Sequence, residues 1–222
     1  MEGENEHSYN CTSARQTGAS RVRDIVLASS SPRRRQLLEA VGLTFRVDAV
    51  SFPEKCDETM KPAEIVRRLS LEKARLGAQR NRDAIVIAAD TIGVLDGRVI
   101  GKPKTQSAAV EMLREMRGRC HTVVTGYTVM DSRTEQVATR SVETTVRIKE
   151  LSDEEIEAYV RTGEPMDKAG AYGIQGLGAI LVSSIEGDYF NVVGLPLSAL
   201  AETLKDFGVN LLLSAKGIQG KP

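Results

Sequence analysis

The chain predicts an α/β fold: a mixed, twisted sheet with flanking helices, arranged as two lobes about a central cleft. Three observations carry that expectation. The apolar run Ile25-Val26-Leu27 feeds straight into a helix start. A second run, over residues 84–89, is continuously apolar, as a strand covered on both faces should be. Beyond it, strand-like stretches, hairpin signals and helical patterns alternate without an internal repeat. At 222 residues the chain can bury a full core in one domain. That domain is expected over 23–214, with polar tails over 1–22 and 215–222.

The elements follow in order. Strand 25–28 turns through Ser29-Ser30-Ser31 into a helix over 32–41. Ser31 is a good N-cap, Pro32 fits the first helical position, and Gly42 suits the residue after the C-cap. Residues 44–49 alternate weakly as a strand, and 51–61, with Pro53, Glu54, Asp57 and Glu58, read as a loop. A helix is predicted over 62–79, with Ile65, Val66, Leu69 and Leu76 at core spacing. The 84–89 strand is expected to stop at Asp90-Thr91. Asp96-Gly97 is a hairpin turn between 92–95 and 98–100. A helix over 106–117 closes at Gly118, and two long strands follow over 122–130 and 136–148. Ser152 and Glu155 form a capping box for a helix to Thr162. Residues 164–178 read as a glycine-rich loop, 179–185 and 189–193 as strands, and Pro196 to Phe207 as a last helix.

Composition excludes several function classes. Lys+Arg and Asp+Glu balance at 30 each, which argues against a nucleic-acid or acidic-membrane partner. No apolar run reaches membrane-spanning length, and residues 1–21 lack the apolar core of a secretory signal. Cys11, Cys56 and Cys120 are odd in number and scattered, and His7 and His121 are the only histidines, so neither a zinc site nor a disulfide framework is expected. A reducing cytoplasm is the natural compartment. His121 is discounted as a partner for Cys120, because neighbours on a strand point to opposite faces.

Ligands of open α/β sheets collect beyond the carboxyl ends of strands. One such end carries three serines, the free N–H groups of a helix start, and Arg33, Arg34 and Arg35 in the first turn, where cations oppose the helix dipole. An external anion would explain them; a solvated basic turn is the bland alternative. Asp90 at the end of an apolar strand is either a turn-forming cap or a functional carboxylate. Lys73 falls on the apolar stripe of its helix, so its ammonium either snorkels to water or points into a cleft. Lys102 sits in Gly101-Lys102-Pro103, and Glu54 in the acidic loop. In the segment Asp167 to Gly178 the glycines permit close backbone approach, and Gln175 offers a donor and an acceptor to a base edge. Cations for phosphates, carboxylates for a divalent metal or a water, and an amide for a base suit a nucleotide-handling enzyme.

From Ile25 to about Leu213 the chain resembles the Maf family of nucleoside triphosphate pyrophosphatases. The likeness rests on Ser29-Ser30-Ser31-Pro32-Arg33-Arg34, Glu72-Lys73-Ala74, Ala89-Asp90-Thr91, Gly101-Lys102-Pro103, the run Asp167 to Gly176, and Val193-Gly194-Leu195-Pro196. Tyr172 and Gln175 are similar to the branch acting on dTTP and UTP. The resemblance implies a Maf/ITPase-like fold, cleavage between the α- and β-phosphates to a monophosphate and pyrophosphate, house-cleaning of the nucleotide pool, a divalent cation (Mg²⁺ or Mn²⁺), and a homodimer. It implies Asp90 as the residue that activates water, with Glu54 and Asp90 at the metal. Arg34, Thr91 and Gln175 match positions linked to base selection, and Ser29, Arg33, Lys73 and Lys102 surround the triphosphate. Pro53 stands where the family often has another acidic residue. Two rival readings remain: another metal-dependent nucleotidyl-transferring enzyme, for which no acceptor motif is visible, and a non-enzymatic regulator of cell division.

Overall fold

A computed structural model describes residues 23–51 and 60–214. The predicted tails and the loop carrying Glu54 lie outside the described residues. A seven-stranded sheet forms the centre, in the order β2-β1-β3-β5-β6-β7, with β4 beside β3. Its strands are β1 (Asp24–Leu27), β2 (Arg46–Val47), β3 (Ala84–Leu95), β4 (Arg98–Ile100), β5 (Cys120–Asp131), β6 (Val137–Ile148) and β7 (Val182–Glu186). β1 runs parallel to β2 and β3, and the remaining pairs are antiparallel, so the sheet is mixed as predicted.

The long buried strand β3 organises both faces. Ile85, Ile87 and Ala89 pack with Leu38 of α1 (Pro32–Ala40), Val193 of α5 (Tyr189–Val193), and Leu200 and Leu204 of α6 (Leu197–Lys205). Ala84, Val86 and Ala88 point the other way, under Ala74 and Ala78 of α2 (Pro62–Arg80). Small residues let α2 lie close. A Cβ on Gly126 of β5 would come within 2.4 Å of the Val66 carbonyl, and one on Gly77 within 2.9 Å of Ala28 and Val86. A further apolar cluster joins α3 (Gln106–Met116), α4 (Asp153–Arg161) and the far ends of β5 and β6 through Leu113, Met116, Val146 and Ile156. A short α7 (Leu211–Ser214) ends the described chain.

Four expectations need correction. β3 does not stop at Asp90-Thr91 but runs unbroken through both. What stops is its neighbour: β1 pairs with residues 84–87, β4 pairs with 93–95, and the stretch between has no strand on that edge. Residues 44–49 yield only the two-residue β2. Residues 189–193 form a helical turn rather than a strand, because the Asp188 carboxylate accepts the N–H groups of Phe190 and Asn191 and Gly194, at φ +127°, ends it. The glycine-rich loop is a chain of 3₁₀ turns, Glu164–Asp167, Ala169–Ala171 and Gly176–Leu181.

Candidate active site

The gap beside β3 opens into a cavity of about 500 Å³. Its floor is Asp90 to Gly93, one wall is the β1–α1 turn, and the opposite wall is the 3₁₀ segment. All the predicted site residues within the described chain line it: Ser29, Arg33, Arg34, Lys73, Asp90, Thr91, Lys102 and Gln175.

The α1 start forms as predicted. Ser31 caps it by accepting the Arg34 N–H, Pro32 follows, and Gly42 takes φ +71° after the last turn. The three arginines then part company. Arg34 is held on three sides: Nε donates to the Gly194 carbonyl (2.9 Å), Nη1 to Ser29 Oγ (3.2 Å) and Nη2 to Thr91 Oγ1 (3.0 Å). Thr91 in turn meets Thr125 Oγ1 at 2.9 Å. Arg33 reaches across the mouth to Asp167 at 3.1 Å. Arg35 turns outward to Glu39, an i,i+4 pair, so an external anion is not needed to explain it.

On the other face of the sheet, Lys73 Nζ lies 2.5 Å from Asp90 Oδ1, with the residues only 8% and 6% exposed. The lysine therefore points into the cleft rather than snorkelling outward. Close packing of α2 makes this reach possible, since Gly126, beside Asp90 in the ladder, takes the helix backbone directly.

Lys102 and Gln175 are exposed at the rim. The Gln175 side chain caps nothing, although the residue stands at the N-cap of the last 3₁₀ turn. Sequence reasoning missed three lining residues. Lys168 donates to Asp167 (2.6 Å) and to the Glu164 carbonyl (2.5 Å). His121 is 5% exposed, meets Tyr172 Oη at 2.8 Å through Nε2, and has a buried Nδ1 with no partner among the described residues. Burial lowers its pKa to about 4, so it is neutral at physiological pH. Lys168 and Tyr172 lay within the quoted motif, while nothing local marked His121.

Among the described residues the cavity is lined by five cations, Arg33, Arg34, Lys73, Lys102 and Lys168, against two carboxylates. Among the described residues no three acidic, histidine or cysteine side chains cluster to hold a metal. A buried carboxylate beside a cationic pocket still fits Mg²⁺ or Mn²⁺, which bind through one or two carboxylates together with substrate phosphates. No helix among the described residues is long and apolar enough to cross a membrane.

The dTTP/UTP pyrophosphatase of Dictyoglomus turgidum is 50% identical over 191 residues, covering 86% of this chain and 99% of that protein. That of Moorella thermoacetica is 50% identical over 187 residues, covering 84% and 96%. Among solved structures, a dITP/XTP pyrophosphatase from Mycobacterium abscessus aligns at a TM-score of 0.39 and 14% identity, over 83% of this chain and 95% of that one. The profile described as Maf-like protein matches residues 24–207, from the first residue of β1 to beyond the end of α6. On that match, and on relatives half identical over nearly their whole length, the chain belongs to the Maf family.

Proposed function

We propose that the protein hydrolyses nucleoside triphosphates, UTP and dTTP foremost, between the α- and β-phosphates, releasing a monophosphate and pyrophosphate and so clearing the nucleotide pool. The carrying observation is the cavity's excess of cations in a chain of zero net charge, set at a helix start with one buried carboxylate on its floor. The relatives' name, dTTP/UTP pyrophosphatase, supports the same substrate class.

The residues divide the work by face. Arg33, Lys102 and Lys73 meet the triphosphate, where negative charge builds on the departing pyrophosphate. Ser29 steadies Arg34 and the start of α1. Asp90 orients and deprotonates the attacking water. Lys73, 2.5 Å away, holds that carboxylate in place until substrate arrives. Asp90 and, as the family resemblance implies, Glu54 would hold a divalent cation, which would supply charge neutralisation at the phosphoryl oxygens. Arg34 and Thr91 form a rigid polar edge for the base, and Gln175 completes it.

Incubating UTP with Mg²⁺ or Mn²⁺ and identifying the products tests the reading. UMP and pyrophosphate are expected. UDP with orthophosphate, transfer to an acceptor, or no turnover refutes it.

A further inference from the structure

The Gln175 side chain lines the cavity and makes no cap hydrogen bond; another residue does the capping. At the N-cap of a helical turn the side chain normally accepts the N–H of the second or third residue. Here those donors are Leu177 and Gly178, and both go to Glu164: Leu177 N to Oε2 at 3.0 Å and Gly178 N to Oε1 at 2.9 Å. The Tyr159 hydroxyl donates to Oε1 at 3.0 Å and accepts the Gly173 N–H at 3.3 Å. The backbone is thus pinned on both sides of Gln175, which sits in extended conformation between.

The glycines fit this arrangement. A Cβ on Gly176 would lie 2.8 Å from the Glu164 carboxylate, and one on Gly178 2.6 Å from the Tyr159 hydroxyl. Gly176 thus packs against Glu164, and Gly178 against the Tyr159 hydroxyl and the Gly173 backbone, whose carbonyl would lie 2.3 Å from a Cβ. Hydrogen bonds from Leu177, Gly178 and Tyr159 outweigh burial and hold the Glu164 carboxyl below its ordinary pKa. It stays an acceptor at neutral pH.

We propose that Glu164, braced by Tyr159, is a surrogate cap that positions Gln175 for base recognition and thereby sets pyrimidine selectivity. This rests on the base-reading role given to Gln175 above. Without the Glu164 carboxylate, Leu177 and Gly178 need another acceptor, and the Gln175 amide is the nearest in sequence. An amide drawn into capping is lost to the base.

The test uses affinities that need no turnover: calorimetric Kd values for α,β-methylene-UTP and α,β-methylene-ATP, with Mg²⁺. Glu164→Ala should weaken the uridine probe about tenfold relative to the adenosine probe. Removing an acidic charge near a cationic cavity alters both probes alike and cancels in the ratio. Tyr159→Phe, a milder change that keeps the ring packed, should shift the ratio about threefold the same way. In a Gln175→Ala background, Glu164→Ala should change the ratio no further. Equal losses for both probes, an unchanged ratio, or losses that add to those of Gln175→Ala overturn the inference. If Gln175→Ala loses selectivity while Glu164→Ala keeps it, only the positioning role falls. If Gln175→Ala keeps selectivity, the base-reading role falls and this inference with it.

Discussion

Lys73 and Asp90 form one ion pair, but the two ends should fail differently when removed. Lys73→Met keeps most of the apolar stem and removes the ammonium from its buried ion pair with Asp90, a residue only 6% exposed. Breaking a buried pair from one side costs about 3–5 kcal/mol, and with cavity solvent on one flank about 2–3 kcal/mol is expected here. At about 2–4 °C of Tm per kcal/mol for a domain of this size, the melting point should drop roughly 5–10 °C. Asp90→Asn instead leaves an ammonium on a flexible four-carbon stem, which can turn toward cavity water. Its Tm loss should be less than half as large. Turnover should suffer heavily in that variant, by about 10²–10⁴ in kcat, the usual contribution of a positioned base. The double variant should recover part of the Tm lost in Lys73→Met, since a neutral amide then replaces the buried carboxylate that lost its ammonium. Scanning calorimetry and initial rates on UTP check all three. A Lys73→Met protein melting within about 1 °C of wild type refutes the buried-pair reasoning. Near-normal kcat in Asp90→Asn refutes its role as base.

Three further outcomes are expected. Gln175→Ala should cost UTP and dTTP about ten- to a hundredfold in kcat/KM and purine triphosphates far less; a uniform fall across bases would remove it from base recognition. His121 should make the fold acid-sensitive: the unfolded chain takes up its proton near pH 6.5 while the folded one resists until about 4. Stability should therefore fall by about 3 kcal/mol as pH drops through that window, and His121→Gln should flatten the Tm–pH curve there. Asp131 behaves oppositely, because its hydrogen bond with Arg23 holds its carboxyl well below the ordinary aspartate range. That stability is present at neutral pH and lost in acid, so the Tm gap between wild type and Asp131→Asn should narrow below about pH 4. A gap constant with pH would show that packing, not charge, holds Asp131.

Local chemistry was legible in the sequence wherever one or two turns of chain decide it. The Ser31 cap, Pro32 and Gly42 bounded α1 to within a residue, and the Ser152–Glu155 capping box placed α4. Lys73 was visible as a lysine on an apolar stripe, but its partner lies 17 residues on, and only the approach of α2 to Gly126 brings them together. Arg35 was misjudged although Glu39, four residues later, was in plain view. His121 was dismissed by asking about its sequence neighbour, whereas its partner Tyr172 is 51 residues away. Glu164 capping a turn that starts 12 residues later leaves no local signature at all.

The misread end of β3 explains how the site can work. Successive strand residues point to opposite faces, so Asp90 and Thr91 should be divided by the sheet. They are: Asp90 meets Lys73 on the α2 face, and Thr91 meets Arg34 and Gly194 on the α1 face. Had β1 continued alongside, its backbone would have sealed the edge between them. β1 stops at Leu27, and the chain departs through Ser29 into α1, leaving that edge of β3 without a strand among the described residues until β4 pairs at Gly93, while β5 pairs the other edge throughout. On the proposed function, one ligand entering at that edge would reach both faces, and the proposed water-activating and base-reading sides would belong to adjacent residues. A serine-rich strand end followed by a helix start therefore has two jobs: it places Arg33 and Arg34 beside the cavity, and it takes the neighbouring strand away.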